Sequence, residues 1–181
     1  YIRTGFKELD SIIGGWDRNE DYVVFSARPG VGKTWLGLKT AVAAAEQGFR
    51  VGIYSGEMSD QMVGYRLDTL VSHISNHSIV RGNVEVQNTY QKYIENIQQY
   101  IKGPIFVLTP KTLGGLATVT ILKAFVDKYK LDLLVVDQHS LLEDERRGRT
   151  AIERASNISR DIKKLQSTQN IPIITISQQN R

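Results

Sequence analysis

Short runs of consecutive apolar residues alternate along the chain with longer stretches in which apolar residues recur every three or four positions. The short runs fit strands buried on both faces, and the longer ones fit amphipathic helices. Their alternation predicts an α/β fold, a mostly parallel sheet with helices on both faces. Five strands are expected: Tyr22 to Ser26, Val51 to Ser55, Ile105 to Leu108, Leu133 to Asp137 and Ile171 to Ser177. Lys33 to Gln47 reads as a helix ended by Gly48, and Ser59 to Ile74 places Val63, Leu67, Leu70, Val71 and Ile74 on one stripe. Val84 to Lys102, rich in Gln, Asn and Tyr, predicts a helix that stops at Gly103-Pro104, and Gly115 to Tyr129 another. The last helix opens on a capping box, Thr150 with Glu153, followed by Ile152, Ala155, Ile158, Ile162 and Leu165 at helical spacing. Thr4 to Gly15 reads as a short helix and glycine turn leading into the first strand.

With 181 residues and 41% hydrophobic content, the chain can bury one sizeable core, so residues 1–181 are expected to form a single domain. The absence of cysteine excludes disulfides and thiolate metal sites and favours a reducing, cytoplasmic setting. No apolar run approaches the ~20 residues of a membrane span, so no membrane partner is expected. The chain starts at Tyr1 without an initiator methionine or signal segment, which predicts a piece of a longer protein. Lys and Arg number 23 against 19 Asp and Glu; the net charge of +4 permits a polyanionic partner without requiring one.

The chemistry concentrates after the first strand. Ala27-Arg28-Pro29-Gly30-Val31-Gly32-Lys33-Thr34 has the spacing of a phosphate loop, with Ala27 where the first glycine usually stands, and Trp35 continues it into the helix. A strand before and a helix after would aim the backbone N–H groups of Gly30 to Thr34 at a phosphate. Lys33 would reach the β- and γ-phosphates of ATP and Thr34 would ligate Mg²⁺. A second anchor follows the run Leu133-Leu134-Val135-Val136, where Asp137 would hold the same Mg²⁺. Position 138 is glutamine, so the adjacent Asp-Glu pair of many P-loop ATPases is absent and the catalytic base must come from elsewhere. Glu57, just past the second strand, is the candidate for polarising water, the alternative being a helix-entry carboxylate beside a Ser59 cap. Gln178, where the last strand meets a polar burst, could sense the γ-phosphate or simply belong to a polar loop.

Taken together these residues resemble the C-terminal motor domain of the DnaB-type replicative helicases, members of the RecA-like ATPases. Thr4-Gly5-Phe6 with Leu9-Asp10 looks like that family's opening segment, and Ala27-Arg28-Pro29 with Gly32-Lys33-Thr34 like its phosphate loop, alanine included. Glu57-Met58-Ser59 with Gln61 and Arg66-Leu67 resembles its catalytic-glutamate motif, and Asp137 with Leu141-Leu142 its Walker B block. Arg149-Thr150, Ile158-Ser159-Arg160 and Lys163 resemble its following helix, and Ser177-Gln178 with Asn180-Arg181 its glutamine motif. The chain departs from the pattern at Gln138, where an aromatic residue is common, and at Ser140, where a glutamine is. Such divergence would suit a phage or prophage helicase, and Ser55-Gly56-Glu57 is also reminiscent of the RadA-type recombination ATPases.

The resemblance implies a hexameric ring that moves 5′–3′ on single-stranded DNA, with ATP at subunit interfaces and Glu57, Lys33 and Gln178 in catalytic roles. It also implies an arginine finger and a second DNA-binding loop beyond Arg181, and primase and loader contacts through regions outside this segment. The loop from Leu142 to Arg149 would hang into the ring channel, with Arg146 and Arg147 ahead of Arg149 as DNA contacts. Glu143, Asp144 and Glu145 balance those arginines, so a solvated loop is the competing reading. A RadA-like recombination ATPase is the alternative that shares the pocket. A nucleotide-gated loading or assembly protein is another, and its AAA+ form would carry Asp-Glu in place of Asp137-Gln138. His73 and His77 are expected at a solvated helix end, His139 in a packing role, and Tyr90, Tyr93 and Tyr100 in helix packing and not base stacking.

Overall fold

The computed structural model describes residues 1–178. Chain order is α1 (Lys7–Ile13), β1 (Tyr22–Ala27), α2 (Lys33–Glu46), β2 (Val51–Ser55), α3 (Asp60–Ser72), α4 (Asn76–Arg81), α5 (Val84–Glu95), β3 (Ile105–Leu108), α6 (Pro110–Leu113), α7 (Val119–Tyr129), β4 (Leu133–Asp137), α8 (Ala151–Gln169) and β5 (Ile173–Gln178). The strands form a five-stranded sheet in the order β1-β5-β4-β2-β3, and every pairing is parallel.

Alternating side chains of the central strand face opposite layers, as pleated backbone requires. Leu134 and Val136 pack with Leu122, Phe125, Ile158 and Ile162 of α7 and α8. Leu133 and Val135 pack with Leu38, Ala41 and Val63 of α2 and α3. β2 and β4 are buried throughout, whereas β1 and β3, at the two ends of the sheet, are half-buried, so the expected double burial holds only at its centre.

Several boundaries differ from the sequence reading, each for a local reason. The stretch expected as one helix over Val84 to Lys102 breaks at Asn96, whose side chain donates to the Lys92 carbonyl at 2.8 Å; a 3₁₀ turn, Ile97–Gln99, follows. Ile97 and Ile101 thereby turn onto Val42, Val71 and Tyr93. The helix expected over Gly115 to Tyr129 begins only at Val119, capped by Thr118, and the separate α6 ends at Gly114 with φ 73°. β5 starts at Ile173 because Pro172 has no N–H to place in the ladder. Ile152, expected on the apolar stripe of α8, is 83% exposed; the buried stripe starts at Ile158. α4 is too short to show a period in the sequence.

Tyr90 and Tyr93 pack as expected, their hydroxyls donating to the two oxygens of Asp68 at 2.6 and 3.0 Å and pinning α5 to α3, whereas Tyr100 lies past the 3₁₀ turn, 49% exposed, with its ring centroid 5.9 Å from that of Tyr93. His73 ends α3 and His77 lies in α4. Among the described residues no group of side chains is arranged to hold a metal through three or more His, Cys, Asp or Glu. Among the described residues no helix is long and apolar enough to cross a membrane.

Candidate nucleotide site

Parallel strands deliver all their C-terminal ends to one edge, and there the topology gathers the candidate residues. β1 runs into the phosphate loop, which bends through Gly30 (φ 78°) and Gly32 (φ 88°), a conformation only glycine adopts without strain. Gly32 is the residue before the first turn of α2, whose opening N–H groups have no intrahelical partner and whose dipole favours an anion. The Lys33 ammonium donates to the Ala27 carbonyl at 2.9 Å, lying across the loop it follows.

Lys33, Thr34, Trp35, Glu57, Arg66 and Gln178 line one cavity of 330 Å³ together with Pro29, Gly30 and Gly32. A larger groove between α7 and α8 has Lys123, Glu145 and Lys164 on its wall and gathers none of these residues. Ala27, Arg28 and Val31, also placed in the nucleotide loop by the sequence, are not among the residues on the cavity wall. Gln178 stands opposite Ala27 in the β1–β5 register, which explains how a residue so far along the chain reaches the loop.

Asp137 ends β4 opposite Ser55 of β2 and is 4% exposed. Burial pushes its carboxyl above the usual carboxylate range. The Thr34 hydroxyl pulls the other way, the Glu57 charge adds to the rise, and the Arg66 and Lys33 charges oppose it. Its Oδ2 is buried with no hydrogen-bond partner among the described residues. A desolvated carboxylate with an orphaned oxygen near a threonine hydroxyl fits a divalent cation, and Thr34 and Asp137 are the residues that would hold Mg²⁺.

Glu57 is positioned by the turn after β2. The Gly56 N–H donates to the Asp137 carbonyl at 2.6 Å, Ser55 Oγ accepts from the Met58 N–H at 3.2 Å, and Ser59 caps α3 by accepting from the Met62 N–H. Its carboxylate accepts a hydrogen bond from the Gln138 side-chain amide. Two residues that the sequence reading did not count among the site residues thus belong to the site. Gln138, 6% exposed, touches Glu57. The Arg66 guanidinium lies 5.3 Å from the Trp35 ring centroid, with its Nε buried and unpartnered among the described residues. Arg66 belongs to the stretch that resembles the catalytic-glutamate motif, whereas no local pattern marks Gln138.

The loop after β4 is organised from within. Asp144 accepts from the Arg146 and Gly148 N–H groups and from Asn157 Nδ2 at 3.0, 2.8 and 3.0 Å. The Asn157 side chain, the two backbone donors and the Arg146 charge hold its carboxyl below the usual range against a small desolvation cost. The Arg146 guanidinium, ranked first by sequence with Arg147, grips both oxygens of Asp161 on α8. Arg147 and Arg149 are exposed. Asn180 and Arg181 of the glutamine motif lie outside the described residues.

A parallel α/β sheet with a phosphate loop, a buried strand-end aspartate and a glutamate just past the end of the neighbouring strand defines a RecA-like P-loop domain. The chain belongs to the family of the DnaB-like helicase C terminal domain, whose model matches residues 1–181. It is 27% identical to the replicative DNA helicase DnaB of Rhodothermus marinus over 99% of its length, spanning 19% of that protein. It is 29% identical to a probable plasmid replicative DNA helicase of Chlamydia psittaci, again over 99% of the chain and 39% of the relative. Among solved structures it is similar to a DnaB-like replicative helicase studied for its interactions with primase, with TM-score 0.85 and 25% identity over 99% of this chain and 43% of that one. A second solved structure, described as an ATPase domain, matches equally, with TM-score 0.85 and 25% identity over 99% of this chain and 64% of that one. The chain therefore spans well under half the length of these two curated relatives.

Proposed function

We propose that the chain is the ATP-hydrolysing motor of a hexameric replicative helicase, which couples hydrolysis to 5′–3′ translocation on single-stranded DNA and to duplex unwinding. The observation that carries this reading is the convergence of Lys33, Thr34, Glu57 and Gln178 on one cavity at the sheet edge where Asp137 ends β4, in a chain of the DnaB-like family. The loop from Ala27 to Trp35 would cradle the triphosphate with its N–H groups, and Lys33 would leave the Ala27 carbonyl to bind phosphate oxygens. Thr34 and Asp137 would hold Mg²⁺, which neutralises charge on the phosphoryl oxygens. Glu57 would accept a proton from water as the water oxygen attacks the γ-phosphorus, with the bond to the β–γ bridging oxygen breaking to leave ADP and phosphate. Gln178 would contact the γ-phosphate and report its state along β5. Arg147 and Arg149, with Arg146 if it leaves Asp161, would contact the DNA backbone. Sister subunits would complete the ring, and primase and loader would bind elsewhere on the intact protein.

In the intact protein, Lys33→Ala removes a charge-assisted phosphate contact worth about 1.5–3 kcal/mol and should abolish ATP turnover and unwinding. Glu57→Gln should bind Mg-ATP nearly as tightly as wild type and turn it over at least ~100-fold more slowly. Wild-type hydrolysis by either variant would reject its residue's role.

A further inference from the structure

The catalytic glutamate of this site is held by a residue that no motif of the sequence assigns. Gln138 stands where many P-loop ATPases carry their water-activating carboxylate, and its buried amide instead donates to Oε1 of Glu57. Glu57 is itself exposed, on a turn. Gln138 supplies the one side-chain hydrogen bond that its carboxylate receives among the described residues. The two segments are locked together. Gly56 N–H bonds to the Asp137 carbonyl at 2.6 Å, and a Cβ on Gly56 would lie 2.9 Å from the Leu141 Cβ, so the backbone before Glu57 meets the turn that Gln138 begins at the closest approach glycine allows. A flexible carboxylate on a turn samples several rotamers, and a donor on a rigid neighbouring strand end selects one of them. The remaining Gln138 oxygen, Oε1, is buried without a partner among the described residues.

The geometry points to Gln138 as the positioning residue of Glu57: its amide orients the carboxylate toward the phosphate cavity, so that the work done elsewhere by an Asp-Glu pair at one strand end is divided here between Glu57, in the turn after β2, and Gln138, just past the end of β4. This rests on the reading of Glu57 as the base.

The test is a double-mutant cycle on steady-state and single-turnover ATP hydrolysis by the intact protein with DNA. Gln138→Met keeps the length and removes the donor. It should lower kcat about 10- to 100-fold with KM for ATP within about twofold, and should add no further loss to Glu57→Gln. Gln138→Glu keeps the polar shape while replacing the donor with an acceptor, and should lower kcat at least as far; thermal melting of each variant identifies any that fails to fold, and the other then decides. Wild-type kcat in the folded variants, or a loss that multiplies fully with that of Glu57→Gln, would overturn the assignment. If Glu57→Gln hydrolyses normally, the base reading falls, and it does so independently of what Gln138 variants show. A slow Gln138→Met beside a normal Glu57→Gln would overturn the positioning role as well.

Discussion

Asp137 and Asp144 are buried and Asp68 is half-buried, and the three differ in how completely their oxygens are satisfied. Asp68 receives two tyrosine hydroxyls and Asp144 receives three donors. Asp137, the most deeply buried, keeps an orphaned oxygen, and the neighbouring Gln138 Oε1 and Arg66 Nε are orphaned too. An unpaired buried polar atom costs on the order of 1–3 kcal/mol, so a cluster of them at one sheet edge is expensive, and the paired carboxylates are not. The satisfied aspartates hold loops and helices in place. The unsatisfied one stands at the sheet edge where the phosphate loop lies.

That contrast can be broken most decisively at Asp137. Its raised folded-state pKa means that ionising it at neutral pH costs folding free energy, so Asp137→Asn should leave the thermal midpoint unchanged or higher. The same variant should lose Mg²⁺-dependent ATP turnover by ~100-fold or more, because the cation's contribution to charge stabilisation is worth several kcal/mol. A variant that melts clearly lower and still responds to Mg²⁺ would make Asp137 a structural residue like the other two.

Asp68 should behave in the opposite manner. Asp68→Ala strands the hydroxyl of the buried Tyr93 and frees that of Tyr90, and should destabilise the fold by about 1–3 kcal/mol in denaturant titration, with the per-molecule ATPase rate of the folded protein intact. Asp68 accepts from both hydroxyls, and burial together with its charge and those hydrogen bonds pushes both phenols up beyond their ordinary range. Neither tyrosine should therefore titrate below strongly alkaline pH, which ultraviolet difference spectra would read.

Asp144 sharpens the comparison through pH. Its folded-state pKa is lowered, so its contribution to loop order is fully present above the ordinary carboxylate pKa and is lost as pH falls toward the depressed folded value. Amide exchange at Arg146 and Gly148 should accelerate over that acid window, after correction for intrinsic rates, and Asp144→Asn should remove most of the dependence. Unchanged protection would detach the loop from this carboxylate.

The smallest effect concerns the loop's outer face. If Arg147 and Arg149 neutralise phosphates, each contact contributes about −0.7 to the slope of log affinity against log salt on single strands, and replacing both should flatten the slope accordingly. Arg146→Ala should change that slope less, because its guanidinium is held by Asp161 in a surface pair worth about 0–1 kcal/mol.

How much was legible in the sequence differs by region for physical reasons. The boundaries of β2, β3 and β4 match the apolar runs residue for residue, because β2 and β4 lie in the interior and β3 is bounded by Gly103-Pro104 and a Thr109 cap. The Thr150 capping box was readable for the same reason: both of its hydrogen bonds join residues three apart. The long polar helix departs from expectation at Asn96, since a side chain that competes with its own helix is invisible to periodicity.

The phosphate loop, the strand-end aspartate and the glutamate are each local words of the chain, set by what a few consecutive residues can do with their backbone. The sequence by itself therefore determined which groups could meet a nucleotide. Only the tertiary structure decided which ones stand together: that Gln178 faces Ala27 across a parallel ladder, that Arg66 covers Trp35, that Arg146 is taken by Asp161, and that Gln138 past the end of one strand holds Glu57 past the end of another. Those pairings depend on strand order and register, and a parallel sheet sets both through contacts between residues far apart in the chain, which no local pattern of apolar and polar positions encodes.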